Sequence, residues 1–310
     1  MNEKKERMIF DVTYQPQVRT VRDTQRIMLD VIIALLPASI AAVVLFGLQA
    51  LWIILTCVIA AVASEFLFNL ICRREQSVGD LSAVVTGLLL ALNLSARVPL
   101  WQCALGSVFA IVLVKCLFGG MGHNFANPAI TGRVFLLAAF SSTVAGGVWP
   151  DATTSATPLE LIGTEGAQLP TLLQMFLGQR GGAIGEGCIL ALLLGFAYLL
   201  IRRVIHWQTP VIFVGTVFVC YLIAGGFSVA LYEVLAGGLV LGAVFMATDY
   251  TTTPITAEGR MLFALGCGLI TFVIRRFCAL PEGVSYSILC MNILAPWLEK
   301  WTRRKPLGGV

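Results

Sequence analysis

Asp151-Ala152-Thr153-Thr154-Ser155-Ala156-Thr157-Pro158-Leu159 lies in the longest polar interruption of an otherwise apolar chain. By residue type alone it is a turn: Asp, Ser and Thr hydrogen-bond their own backbone, and Pro158 stops any helix. Its surroundings decide the fold. Of 310 residues, 58% are hydrophobic and only 12% charged, with a mean hydropathy of +0.87. A soluble domain carries about 25% charged residues. The interruption therefore separates two blocks of membrane-type sequence.

Upstream of it, apolar segments run over about 27–47, 50–72, 80–95, 99–118 and 130–147. Downstream they run over about 184–201, 209–225, 230–247, 259–277 and 284–300. The expectation is an all-α polytopic membrane protein of about ten transmembrane helices. The 80–95 segment is short for a full crossing, and Gly87 near its centre permits close helix packing. Two polar breaks, 119–128 and 248–254, interrupt the blocks. Five is odd, so the blocks run in opposite directions. Gly87-Leu88-Leu89-Leu90-Ala91-Leu92 in one resembles Gly238-Leu239-Val240-Leu241-Gly242-Ala243 in the other. Both observations point to inverted five-helix repeats that meet near the membrane centre. The chain then divides into a basic arm (1–26), a first repeat (27–147), a loop (148–182), a second repeat (183–300) and a tail (301–310).

The net charge of +4 belongs to membrane orientation, not to nucleic acid. With the N-terminus in the cytoplasm, sixteen basic residues fall on the cytoplasmic side, including Lys4, Arg73, Arg133, Arg202 and Arg303. Four fall outside: Arg97, Arg180, Arg275 and Arg276. That asymmetry places both termini in the cytoplasm and the 148–182 loop outside it. Arg275 and Arg276 fit the count least well. The first apolar run begins around Ile27 after a charged stretch, so that helix is expected to stay as an anchor. The nine Cys residues are scattered without a C-x-x-C pair, which argues against a metal, a cluster or a disulfide framework.

Ionisable groups within spans are the default functional candidates. The acids are Asp30, Glu65, Asp80, Glu233 and Asp249. Asp30, Asp80 and Asp249 stand near span ends and can reach water there. Glu65 and Glu233 lie deeper, and Lys115 is a partner within reach of Glu65. Either acid could relay an ion; a Glu65–Lys115 pair would be structural. In the breaks, Asn124, Asn127, Thr251 and Thr253 can hydrogen-bond a ligand or simply close a loop. His123 reads as a loop histidine. Two classes fit these residues: a transporter or channel with its site between the repeats, and a membrane redox subunit that holds a cofactor.

The opening stretch separates them. Asp151-x-x-Thr154-Ser155-Ala156-Thr157 resembles the flavinylation sequence of the Rnf/Nqr families, D-x-x-[ST]-[SG]-A-[ST]. Gly79–Leu92 resembles the third span of those families. Gly122-His123-Asn124-x-x-Asn127-Pro128-Ala129 and Phe245-Met246-Ala247-Thr248-Asp249-Tyr250 resemble their cytoplasmic breaks. Within the NqrB/RnfD family, length and the short arm favour the RnfD branch over the NqrB branch of the sodium-pumping NADH:quinone reductases. Ser155 is a departure, since many members carry Gly there.

The resemblance implies FMN esterified through its phosphate to Thr157 by a flavin transferase, and a non-covalent riboflavin in the membrane part. It implies a bacterial inner-membrane complex, the Rnf electron-transport complex, whose membrane, flavin and iron–sulfur subunits are the partners. Electrons from NADH or ferredoxin would cross this sector coupled to Na⁺ or H⁺ movement. The ion-coupling candidates are Glu65, Asp80, Glu233 and Asp249.

Overall fold

Leu-, Ile- and Ala-rich runs become helices because lipid offers the backbone no hydrogen bonds and a helix satisfies its own. The computed structural model describes residues 24–144, 159, 162, 170–178, 180–278 and 282–303. The start of the basic arm, Asp151, Thr154, Ser155, Ala156 and Thr157 of the motif, and the end of the tail lie outside the described residues.

The first block holds α1 (Thr24–Phe46), α2 (Leu48–Ile71), α3 (Ser82–Leu92), α4 (Leu100–Cys116) and α5 (Pro128–Ala139). The small helices α6 (Ser141–Val144) and α7 (Leu172–Leu177) follow. The second block holds α8 (Ile189–Ile201), α9 (Gln208–Leu235), α10 (Leu239–Leu241, continued by a π-turn over Gly242–Met246), α11 (Ala257–Phe277) and α12 (Val284–Thr302). Among the described residues, α1, α2, α9 and α11 are long and apolar enough to cross a membrane unaided. The shorter α3 is buried along nearly its whole length, so its ends are covered by protein rather than lipid.

Elements of the two blocks pack against each other. α1 packs on α8 and α5 on α12. Within the blocks, α2 packs on α3 and α4, as α9 packs on α10 and α11. Glycine makes the closest approaches possible. A Cβ at Gly87 would stand 2.8 Å from the Cys57 carbonyl and the Val58 Cα on α2, the tight packing its position suggests. A Cβ at Gly195 on α8 would run into the Ala34 carbonyl on α1.

Three expected spans differ from those observed. The 230–247 span is not one helix. Its first part belongs to α9, which bends at Gly226 (φ 85°) and ends at Leu235. The chain then turns through Gly237 (φ 64°) before α10 begins. Segment 130–147 is split at Phe140 between α5 and α6. Segment 184–201 begins with a single 3₁₀ turn, Ile184–Glu186, ahead of α8.

Candidate functional site

At the end of the bundle where α1 begins, a cavity opens between the two blocks. Its empty volume, mouth included, is ≈ 770 Å³. Met28 and Val31 of α1, Val85 and Leu89 of α3, and Phe245 of the π-turn give it apolar walls. Both polar breaks reach it, through Asn124 and Asn127 on one side and Thr248, Asp249 and Thr251 on the other. The two asparagines do different work. Asn127 caps α5: its Oδ1 accepts from the amides of Ala129 (3.0 Å) and Ile130 (3.4 Å). Asn124 Oδ1 is buried and has no hydrogen-bond partner among the described residues. Asp249 accepts from the Thr251 hydroxyl (2.9 Å), from that of Thr252 (3.2 Å) and from the Thr251 amide (3.2 Å), so it organises its own loop.

In the cavity wall itself, at Lys115 and Ser82, is a buried ion pair. Lys115 Nζ donates to both oxygens of Glu65 at 2.8 Å and to Ser82 Oγ at 2.6 Å. Ser77 Oγ donates to Glu65 Oε1 at 2.6 Å. Asp80 accepts from the Ser82 amide (2.8 Å) and contacts its hydroxyl. The pair anticipated from sequence therefore forms, 2% and 1% exposed. Lys115 sits on a π-turn, Phe109–Cys116, where the ladder is closed by i→i+5 bonds such as Leu117 N to Val112 O. Such single-turn widenings recur at functional sites.

From the cavity a polar seam runs between the blocks toward the other end. Asn127 Nδ2 donates to the Met246 carbonyl (3.5 Å), and Asn93 Nδ2 to Met246 Sδ (3.3 Å). Arg133 Nη1 donates to Asn93 Oδ1 (2.7 Å) and Ser285 Oγ (3.3 Å). Arg133 Nη2 contacts Glu282 directly and lies 3.9 Å from Glu186 Oε1. Close by, Arg180 bonds the carbonyls of Leu235 and, at 2.5 Å, Glu186. Arg275 bonds Glu233 Oε2 (3.1 Å) and the carbonyls of Glu233 (2.7 Å) and Ala236 (3.3 Å). Two arginines thus cap the buried C-terminal end of α9, where the helix dipole is negative. Leu159, two positions past Thr157, lies 3.7 Å from where a Gly237 Cβ would stand, at the edge of this cluster.

Contrary to the charge count made from sequence, Arg133, Arg180 and Arg275 are not surface markers of membrane orientation. Their side chains are buried among carbonyls and carboxylates. Removing them takes away part of the misfit at Arg275. Asp30, expected near water, is buried on α1, but its partner Arg202 reaches solvent. Glu233 is held by Arg275. Glu186 and Glu282 escaped the sequence reading because they stand at the edges of apolar runs, Glu186 at the start of 184–201 and Glu282 just before 284–300. The signal that points to them is the placing of Arg180, Arg275 and Arg276 on the side where a positive-inside pattern wants no basic residues.

A helical bundle with broken helices and buried ion pairs between two blocks defines a polytopic membrane protein. The chain belongs to the NQR2, RnfD, RnfE family, whose profile matches residues 11–308. It is 44% identical to the D subunit of the Na(+)-translocating ferredoxin:NAD(+) oxidoreductase complex of Acetobacterium woodii, covering 96% of this chain and 95% of that one. It is 40% identical to the D subunit of the proton-translocating ferredoxin:NAD(+) oxidoreductase complex of Clostridium ljungdahlii, over 97% and 96%. The D subunit of the ion-translocating oxidoreductase complex of Stutzerimonas stutzeri is 37% identical, over 91% and 92%.

Proposed function

We propose that this chain is of the RnfD type, the flavin-bearing membrane subunit of an ion-translocating ferredoxin:NAD⁺ oxidoreductase complex. The observation that carries this reading is 44% identity along 96% of the chain to a relative named for such a complex. It acts within the complex, in a bacterial cytoplasmic membrane. Its partners are the other membrane, flavin and iron–sulfur subunits, and a flavin transferase matures it. Both termini face the cytoplasm and the 148–182 loop faces away. Relatives named for Na⁺ and for protons match it about equally, so the coupling ion is a matter for transport measured in vesicles with and without Na⁺.

Two flavins fit this chain. Thr157 accepts FMN as a phosphoester, with Asp151, Thr154, Ser155 and Ala156 read by the transferase. The cavity between the blocks suits a non-covalent riboflavin. Its apolar walls match a flat ring, and the unpartnered Asn124 Oδ1 is an acceptor for a ring N–H. Bound flavin supplies the electron-carrying chemistry. The chain's own residues bind and orient it, exclude water, and hold charge at Glu65, Asp80, Glu233 and Asp249.

The test is chemical. With the transferase co-expressed, Thr157→Ala removes covalent flavin fluorescence from a denaturing gel, and Thr153→Ala retains it. Intact mass of the wild-type chain rises by one FMN less one water. A flavin mapped to another residue overturns the assignment.

A further inference from the structure

We propose that Glu186 is a proton-carrying group, sharing its proton with Glu282 and exchanging it with water on the Glu282 side. The role in translocation rests on the reading above; the protonation itself rests on the geometry.

Charged groups from several elements surround Glu186. Arg180 faces it from the adjoining segment, Arg133 from α5 and Glu282 from the α11–α12 link. The Arg275–Glu233 pair lies beyond Gly237 and Gly238. Among the described residues Arg180 hydrogen-bonds carbonyls alone, those of Leu235 and Glu186. Arg275 is engaged by Glu233 and by two carbonyls. That leaves Arg133 facing two carboxyl groups, and its Nη2 contacts Glu282. Glu186 Oε1 is 3.9 Å from the same nitrogen, too far for a hydrogen bond. The Glu186 side chain is 2% exposed, and its Oε1 has no hydrogen-bond partner among the described residues. The Glu186 and Glu282 carboxyls face the same Arg133 nitrogen. Two carboxylates turned to one guanidinium nitrogen repel each other, and such a pair holds one proton between them. An ionised carboxylate with an unpartnered oxygen at this depth would also carry a heavy desolvation cost.

The surroundings admit a proton rather than a larger ion. A Cβ at Gly238 would stand 2.8 Å from Glu186 Oε1, and one at Gly182 would stand 3.0 Å from Oε2. A metal cation would also meet the Arg133 guanidinium at close range, where like charges repel. Exchange has a route. The Glu282 side chain is 22% exposed, against 2% for Glu186, so a proton passes from water to Glu282 to Glu186 and returns the same way. Loading converts the Glu186 carboxylate to a carboxylic acid; release reverses it; no electron moves. Inward, the Arg133–Asn93–Met246–Asn127 seam joins this pair to the cavity.

Infrared difference spectroscopy on the assembled complex tests this directly. The wild type should show the carbonyl stretch of a buried carboxylic acid, shifted in D₂O and absent from Glu186→Gln. Because glutamine mimics the neutral acid, Glu186→Gln should melt at the wild-type temperature, and ions moved per electron should fall at least tenfold. Glu282→Gln should shift the Glu186 band without removing it. No acid band in the wild type, a band that survives Glu186→Gln, an unmoved band in Glu282→Gln, or a Glu186→Gln complex that melts low or fails to assemble each overturns the proposal. The last would mean an ionised Glu186 held by Arg133. None of the spectral or melting readouts needs covalent flavin, so a Thr157→Ala complex that keeps the band separates failure of the flavin assignment from failure of this one.

Discussion

Glu65 and Glu186 are both buried carboxylates in a membrane bundle, one in each block, and they differ in their donors. Glu65 receives Lys115 Nζ on both oxygens and Ser77 on one, while Ser82 takes a further proton of the lysine. Glu186 shares Arg133 with Glu282 and leaves Oε1 without a partner among the described residues. A complete donor set holds a carboxylate ionised and its helices in place. An incomplete one leaves the protonation state free to change. By this comparison, the first block's charge pair is scaffold for the cavity wall and the second block's is machinery. It also ranks the ion-coupling candidates: Glu65 and Glu233 are paired, Asp80 and Asp249 organise loop ends.

The largest expected effect tests the scaffold side. Lys115→Met leaves the Glu65 carboxylate buried without its counter-charge. Breaking one partner of a buried pair costs about 3–5 kcal/mol. The purified complex should melt much lower than wild type or fail to assemble, and adding Glu65→Gln should recover part of the loss. A Lys115→Met complex with the wild-type melting temperature would erase the distinction between the two carboxylates.

Next comes the contact between the blocks. Gly195→Ala places a methyl against the Ala34 carbonyl and forces α8 off α1. Overpacking of this kind costs about 1–3 kcal/mol. The cavity spans that joint, so non-covalent flavin content should fall along with thermal stability. Retained flavin at lowered stability would show that the cavity tolerates movement between the blocks.

A smaller effect separates the two asparagines. Asn127→Ala removes the α5 cap and should cost about 1 kcal/mol, seen as a modest fall in melting temperature. Asn124→Ala removes no bond of Oδ1 to the described residues, so stability should hold while non-covalent flavin is lost. If Asn127→Ala alone loses the flavin, the acceptor in the cavity is not Asn124.

These residues show what a one-dimensional reading can reach. The polar breaks, the close packing at Gly87 and the Glu65–Lys115 pair were all legible, because each is an exception to an apolar run. Pairing Arg133, Arg180 and Arg275 was not. A rule that counts basic residues assigns them to a membrane face, whereas here they bind the end of α9 and two distant carboxyls. The α9–α10 boundary was hidden for a related reason. Apart from Glu233 the segment 230–247 is apolar throughout, while the helix stops at Leu235, its last carbonyls taken up by arginines from elsewhere. Glu186 and Glu282 lie 96 positions apart in sequence, and only the fold brings them to one guanidinium.

The smallest expected effect is at Asp30, and it tests whether burial of the pair is what gives Lys115 its weight. Asp30 accepts from Arg202 Nε at 3.2 Å and from the Tyr198 hydroxyl at 3.0 Å. Its chemistry matches that of the Glu65 pair, a carboxylate with one cation and one hydroxyl donor. The difference is that the Arg202 side chain is 54% exposed, against 2% for Lys115. When Asp30 becomes Asn, the amide oxygen still accepts from Tyr198 and the freed guanidinium turns to water. Exposed ion pairs gain little because solvent competes for both partners and salt screens them. Asp30→Asn should therefore melt within the scatter of wild type at high salt and only slightly below it at low salt. The Lys115→Met loss should be the same in both. An Asp30→Asn complex as unstable as Lys115→Met, or a Lys115→Met loss that salt removes, would mean that the two pairs are not separated by solvent access, and the contrast drawn between Glu65 and Glu186 would need another basis.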